Sequence, residues 1–195
     1  GQHLGAGQAC HRGRHRLRES PPVDEVRVRV TRIPVEVVVD GVVDAAVVLP
    51  AIMLHDIGWS QVPPAEVLQA IAPGGGRPDL VLLHEKEGAR LAAGILAEAG
   101  YDAGKVPAVL DIIDGHDSRR EAISIEDAIV KDADKTWRLS PHGIDTVMDW
   151  FGLDRGQALR LCSQRVHGHL FTAEAQAMAR ALSALESVTL WPQRQ

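Results

Sequence analysis

The feature that most constrains the fold is a series of segments, from residue 44 onward, in which apolar residues recur with the period of an α-helix. The longest is LLHEKEGARLAAGILAEAG, which Gly100 closes as a typical helix end. Its predicted apolar stripe consists of Leu91, Ile95, Leu96 and Ala99. A helix with one apolar face must bury that face against a neighbour. The pattern therefore predicts an all-α bundle over residues 43–195.

The same period and terminal signals predict the other helices of the bundle. The first runs from Asp44 to His55, with Gly58 as its stop and Pro50 as a cost to its interior. In the segment that begins at Ser124, this residue is the predicted N-cap and Asp127 follows in a near capping box. The remaining predicted helices are residues 64–72, 104–117, 154–170 and 172–185, the last capped by Thr172.

The N-terminal segment, residues 1–42, carries different signals. Residues 1–25 lack an apolar period and contain Gly, Arg and a Pro pair, which predicts a poorly ordered arm. In VRVRVTRIPVEVVVDGVV apolar and polar residues alternate from Val26 to Thr31, which is typical of a strand, and Asp40-Gly41 is a candidate hairpin turn. The composition of residues 1–42 has two explanations, a natural N-terminal arm or an altered reading frame in a GC-rich gene. Resequencing the locus would distinguish them.

Charge and cysteine content restrict the environment and the partners. The net charge of −5 gives no reason to expect a nucleic-acid polymer or an acidic membrane surface. The longest nearly unbroken apolar run, residues 45–54, is too short to span a bilayer. Cys10 and Cys162 show no metal or redox spacing, and the N-terminus lacks a secretory pattern. We expect a cytoplasmic protein, whose oligomeric state stays open.

Ionisable residues stand at or near the apolar faces of the predicted helices. They are His55, Asp56, His84, His116, Asp117 and Asp134. A buried carboxylate without a partner costs several kcal/mol, so a cation or strong donors must satisfy it. Imidazole nitrogen and carboxylate oxygen together suit Mn, Fe, Co, Ni or Zn. The set favours a site for one or two such ions. The competing interpretation is that each residue is structural or solvated, with His84 and Glu85 at a surface helix start.

The motif LHDIGWS resembles the signature of the HD-domain superfamily, metal-dependent phosphohydrolases with an all-helical fold. The resemblance extends from about residue 45 to about residue 150, through LLHEKEGARLAAGIL, IIDGHDSRRE and KDADKTWR. It implies an HD-domain-like helical bundle in which His55, Asp56 and Asp134 hold one ion. It also implies that His84 and His116 hold a second ion, with Asp56 as the bridge.

The resemblance further implies hydrolysis of a small phosphate ester or nucleotide by a metal-activated water. The predicted catalytic residues are Asp56, Asp117 and Lys135. Asp117 is also a candidate for orienting a ligand histidine. The predicted ligands of the substrate phosphate are Lys86, Arg119 and Arg120, for which a solvated helix surface is the alternative. Two other functions stay open, a di-iron oxygenase and a non-catalytic or impaired HD module.

The chain departs from the family's pattern at one ligand. The family's first histidine lies on the helix before the doublet, but this chain has no histidine between His15 and His55. The ligand is then replaced by water or by a carboxylate such as Asp40 or Asp44, supplied from an unexpected place, or absent. Loss of such a ligand weakens metal binding and slows the chemistry.

Overall fold

The computed structural model describes residues 43–74 and 76–190, and within these residues the secondary structure is helical without a strand. This confirms the all-α prediction; the proposed hairpin before residue 43 lies outside the described residues. The helices are α1 (Ala45–Leu54), α2 (Pro64–Ala70), α3 (Pro78–Glu98), α4 (Val106–Ile113), α5 (Ile125–Thr136), α6 (Pro141–Phe151), α7 (Arg155–Val166) and α8 (Ala173–Thr189). None of them is long and apolar enough to cross a membrane.

Helix α1 contains a proline whose cost is offset by a tyrosine from another part of the chain. Asp44 begins the helix by accepting a hydrogen bond from the backbone N–H of Ala46. Pro50 lies inside the helix and has no N–H to donate to the carbonyl of Ala46, four residues earlier. The hydroxyl of Tyr101 donates to that carbonyl at 2.5 Å. A tertiary hydrogen bond therefore occupies an acceptor that the proline leaves without its helical donor.

The buried face of α3 differs from the predicted stripe, because Ile95 and Ala99 are exposed. The buried residues are Leu80, His84, Glu85, Gly88, Ala92 and Leu96. The prediction is confirmed for Leu96, and Leu91 is half-buried, but a stripe chosen mainly from large aliphatic side chains missed the small residues Gly88 and Ala92 of the buried face. The predicted end of the helix is confirmed: Gly100 has a φ of 64°, which a glycine adopts without strain.

Two main apolar clusters meet near α5. The first contains Val47, Ala51, Ala92, Leu96, Val109, Ile112, Ile113 and Val130, from α1, α3, α4 and α5. The second contains Leu139, Ile144, Val147, Ala158, Leu159, Cys162, Val166, Leu170 and Ala179, mainly from α6, α7 and α8. Helix α6 was not predicted, although Ser140 caps it, Pro141 begins it and Gly152 ends it in a left-handed conformation. Helix α5 packs against α1 on one side and against α7 and α8 on the other, so it connects the two halves of the bundle.

Candidate metal centre

The doublet His55-Asp56 leaves the end of α1 where the chain touches α3. A short 3-10 helix, Ile57–Gln61, follows the doublet. A Cβ atom added at Gly58 would lie 1.8 Å from the carbonyl oxygen of His84, so only glycine fits there. The prediction that Gly58 stops α1 is wrong, because α1 already ends at residue 54 and the φ of Gly58 is not positive. Gly58 instead brings the doublet against the helix that carries His84.

His55, Asp56 and Asp134 form the first group of candidate ligands. His55 Nε2 lies 3.2 Å from Asp56 Oδ2 and 3.6 Å from Asp134 Oδ1. Two atoms that bind one ion at about 2.1 Å are roughly 3.0–3.4 Å apart in octahedral or tetrahedral geometry. The side chain of Asp134 is only 3% exposed, as its position on the apolar face of α5 predicted. His55 thus lies between the two carboxylates, at or slightly beyond the spacing that two ligands of one ion need.

His84 and His116 form the second group with the same Asp56. Their Nε2 atoms are 3.4 Å apart and lie 3.7 Å and 3.6 Å, respectively, from Asp56 Oδ1. The two oxygens of Asp56 therefore face different groups, Oδ2 towards His55 and Oδ1 towards the histidine pair. A carboxylate in this position can bridge two ions. The structure brings all five predicted metal ligands together.

The hydrogen bonds of two histidines leave their inward nitrogens available to a metal. His55 Nδ1 donates to the carbonyl of Ile52 at 2.7 Å, and His116 Nδ1 donates to that of Ile113 at 2.9 Å. Because a carbonyl only accepts, each Nδ1 carries the hydrogen and each Nε2 of a neutral ring presents a lone pair. His55 Nε2 is buried without a hydrogen-bond partner among the described residues. This donor set suits a divalent transition metal.

The charge balance of the first group also favours a bound cation. Burial lowers the pKa of His55, but the carboxylates of Asp134 and Asp56 outweigh burial and raise it to about 10. Partial burial raises the pKa of Asp56, yet the facing imidazoles of His116 and His55 hold it well below its usual range. Without an ion, a protonated His55 is the cation between the two carboxylates. A divalent ion that displaces this proton satisfies the same oxygens.

Trp59 contacts two of the candidate ligands, Asp56 and His84. Its indole Nε1 donates to Asp56 Oδ1 at 3.0 Å. Its ring stacks on the His84 imidazole with centroids 3.8 Å apart and an interplanar angle of 8°. Trp59 therefore fixes the bridging oxygen and the plane of one histidine at the same time.

Asp117 lies beside the second group, with Oδ2 3.9 Å from the Nε2 atoms of both His84 and His116. Its backbone N–H and that of Ser118 donate to Glu85 Oε1, each at 2.8 Å. Glu85 is fully buried on α3, next to His84, so the interpretation of this segment as a surface helix start is wrong. One buried carboxylate thus positions the loop that carries Asp117.

Lys131 holds the same loop from the side of α5. Its buried Nζ donates to three backbone carbonyls, those of Gly115, His116 and Arg119, at 2.6, 2.8 and 3.0 Å. Burial lowers the pKa of Lys131 to about 8. Together with Glu85, it restrains the loop on both sides, so His116 and Asp117 keep their places.

Arg138 holds the distal carboxylate. Its Nη1 donates to the carbonyl of Asp134 at 2.8 Å and to Asp134 Oδ2 at 3.2 Å. Burial raises the pKa of Asp134, but the Arg138 charge and the facing His55 imidazole lower it below its usual range. Oδ2 is therefore bound to arginine, which leaves Oδ1 directed at His55.

The residues predicted to bind substrate phosphate lie in different places. Lys86 is exposed, and it projects about 200° around α3 from His84. Arg119 donates to Asp127 Oδ2 at 3.0 Å and to two backbone carbonyls, and Arg120 is exposed. The structure does not support these three as phosphate ligands. Lys86 and Arg120 are exposed to solvent, and the guanidinium of Arg119 forms hydrogen bonds within the protein.

A cavity of about 340 Å³ lies beside the candidate ligands. Asp117 and Lys135, both predicted as catalytic, line it together with Arg138. Lys135 Nζ approaches only the carbonyl of Lys131, at 3.4 Å, among the described residues. The cavity thus places one carboxylate and two cations within reach of a ligand next to the metal centre.

The first group lacks the additional histidine of the family's pattern. Asp44, a predicted substitute, caps the opposite end of α1, about 16 Å away at 1.5 Å per residue, and pairs with Lys105. It is therefore excluded as a ligand. Asp40 and His15 lie outside the described residues. Within the described residues, the groups of candidate ligand atoms around His55 include no other histidine than His116.

Several residues that shape the site were not predicted as site residues from the sequence. They are Trp59, Glu85, Lys131 and Arg138. Helical spacing could have found two of them: Glu85 precedes Ala92 by seven residues on the buried face, and Arg138 follows Asp134 by four. Trp59 stands inside the doublet motif, but no local signal shows which atom its indole contacts.

Comparison with known proteins identifies the family of this arrangement. The family model of the HD domain matches residues 24–139, more than half of the chain, and leaves α6, α7 and α8 outside the match. The match begins within the predicted arm, and the domain division at residue 42 stays a prediction. Searches of curated proteins and of solved structures gave no match. HD domains bind divalent metals, and the groups around Asp56 provide suitable donors. The chain therefore belongs to the HD-domain superfamily, which in general comprises metal-dependent phosphohydrolases.

Proposed function

We propose that this chain hydrolyses a small phosphate ester or nucleotide with the help of one or two divalent transition-metal ions. The observation that carries the proposal is the orientation of Asp56, whose two oxygens face two separate histidine groups. Ions held there supply an activated water and neutralise charge on the phosphoryl oxygens.

The protein's own residues divide the remaining tasks. His55 and Asp134 would hold one ion, His84 and His116 would hold the other, and Asp56 would contribute an oxygen to each. Asp117 would accept the proton that the attacking water loses, because its carboxylate lines the cavity and lies 3.9 Å from both histidines of the second group. Lys135 binds a phosphate oxygen from the cavity wall. A small molecule is the substrate, and no nucleic-acid polymer or membrane is needed.

Asp56→Asn tests the proposal, because an amide presents only one good metal-binding oxygen. We expect purified protein to contain divalent metal and to hydrolyse para-nitrophenyl phosphate with added Mn, Ni or Co. The Asn variant should lose at least about a hundredfold in kcat/KM. Asp149→Asn, an exposed aspartate on α6, is the matched control. Retained activity in the Asp56 variant would show that the site is assigned wrongly.

A non-catalytic or impaired HD module is the second candidate, favoured by the small ligand set around His55. Within the described residues its neighbours are the carboxylates of Asp56 and Asp134 and the shared His116. Absence of both metal and turnover would support this candidate. Bound iron with a mixed-valent signal in electron paramagnetic resonance would instead support the di-iron oxygenase, which uses the same types of ligand.

A further inference from the structure

The cavity beside the metal centre is built from two different parts of the chain. Residues within the family match contribute the wall nearest to the ligands, including Asp117 and Lys135. Residues outside the match, on α6 and α7, contribute another part, including Trp150, Leu161 and Arg165. Part of the cavity wall is therefore supplied by residues outside the matched HD domain.

The charges that line this cavity are unbalanced. Three cations line it against one carboxylate, that of Asp117. Arg138 is paired with Asp134, but neither Lys135 nor Arg165 forms an ion pair within the described residues. A cavity with two cations that lack a carboxylate partner suits a ligand with more than one acidic group.

Arg165 is held in place by contacts that leave its charge uncompensated. Its Nη2 donates to the backbone carbonyls of Ile71 and Ala72, at 3.0 Å and 3.2 Å. Both residues also line the cavity, so the guanidinium is fixed at the cavity wall. Within the described residues Nε and Nη1 make no hydrogen bond, and they are the donors that a planar acidic group binds in pairs.

Much of the remaining lining is apolar. It includes Val147, Trp150, Phe151 and Leu161, together with Ile71 and Val81. A volume of about 340 Å³ is within the range of small-ligand sites and large enough for an aromatic ring with its substituents. Apolar walls next to a fixed guanidinium match a ring that carries an acidic group.

We propose that the site acts on phosphate esters whose organic part combines an apolar ring with a second acidic group, and that Arg165 binds this second group. The scissile phosphate lies at the metal centre near Lys135, and the ring lies against Trp150 and Leu161. The proposal rests on the proposed function for the first of these two positions. Arg165 is therefore a specificity-determining residue supplied by α7.

A comparison of two substrates tests this assignment directly. We expect metal-loaded protein to hydrolyse 4-carboxyphenyl phosphate with a kcat/KM about fivefold higher than that of phenyl phosphate. In Arg165→Gln this ratio should fall to about one. Arg160→Gln removes another exposed arginine of α7 that does not line the cavity, and it should keep the wild-type ratio. A wild-type ratio at or below one, or an unchanged ratio in Arg165→Gln, overturns the proposal.

Two further measurements separate this proposal from the proposed function and from misfolding. Calorimetry with 4-carboxyphenylphosphonate and phenylphosphonate measures binding without turnover. If neither ester is hydrolysed but the carboxylated phosphonate binds more tightly through Arg165, the proposed function fails and the acidic subsite stands. Equal binding of the two phosphonates overturns the subsite. Arg165→Lys keeps the charge and should retain part of the preference for the carboxylated ester. Complete loss of this preference in a folded Lys variant would show that the paired donors of the guanidinium are required.

Discussion

Trp59 allows the position of the bridging carboxylate to be tested without removing any metal ligand. Its indole N–H donates to Asp56 Oδ1, the same oxygen that faces His84 and His116. Its ring stacks on His84. Trp59→Phe keeps an aromatic ring for the stacking and removes the N–H. The substitution should therefore weaken the second ion more than the first, because the His55 group uses Asp56 Oδ2.

The expected size follows from the kind of hydrogen bond that is lost. A hydrogen bond to a charged group contributes about 1.5–3 kcal/mol, and the side chain of Asp56 is 53% exposed, which places this one near or below the lower end. A loss of about 1–1.5 kcal/mol corresponds to roughly five- to tenfold weaker binding of the second ion. The first ion should change by less than about twofold on the same scale.

Equilibrium dialysis against Mn²⁺, with metal content measured by mass spectrometry, gives the affinity of each site. Wild-type protein should approach two ions per chain, and Trp59→Phe should show the second binding step at higher Mn²⁺ concentration. Trp150→Phe removes an indole that lines the cavity without contacting Asp56, and it should bind both ions as wild type does. Unchanged binding of both ions in Trp59→Phe, or equal weakening of both, would refute the role of the indole.

The structure supports three further predictions. Gly58→Ala places a Cβ 1.8 Å from the His84 carbonyl oxygen and should lower the free energy of unfolding by at least about 3 kcal/mol in a urea titration. Gly94→Ala, whose Cβ meets no atom within 4 Å, should raise it by about 0.5–1 kcal/mol, and equal effects of the two variants would contradict the close approach. Tyr101→Phe removes the donor to the Ala46 carbonyl and should cost about 1 kcal/mol, seen as a Tm lower by about 2–4 °C; an unchanged Tm would mean that water replaces the hydroxyl. Metal-free protein should lose thermal stability as the pH rises from 7 to 10, because the pKa of His55 is raised from 6.5 to about 10 and its protonated form stabilises the fold fully only below the lower value. Mn²⁺-loaded protein should lose less stability over this range, and parallel curves of Tm against pH for the two forms would argue against an ion in place of that proton.

Most helices could be predicted because their signals are local. Ser124 and Thr172 cap their helices as expected, and Gly100 ends α3 with a positive φ. Each signal depends on residues within a few positions, so no knowledge of the packing was needed. Helix α6 was missed although its proline start and glycine end are of the same local kind. The buried face of α3 could not be found this way, because it is set by the approach of Gly58 from another segment.

The types and order of the candidate ligands were also available from the chain alone. A histidine-aspartate doublet, two histidines and a distal aspartate at helix ends indicated a metal centre, since buried carboxylates need a cation or strong donors and imidazole is a common metal ligand. Their geometry was not available. Which oxygen of Asp56 faces which histidine depends on rotamers fixed by Trp59, and Trp59 acts through space on a residue of another helix, His84.

The roles of the charged residues likewise became visible only in the tertiary structure. Lys131 and Glu85 are ordinary charged residues in sequence, yet both are buried and hold one loop through backbone groups. Arg119 and Lys86 stand next to motif residues but do not point into the site, whereas Arg165, far along the chain, lines the cavity. Helical period and ligand chemistry are local properties, and the chain alone determined them. Burial, the facing atoms and the cavity walls arise from contacts between distant segments, and only the tertiary structure decided them.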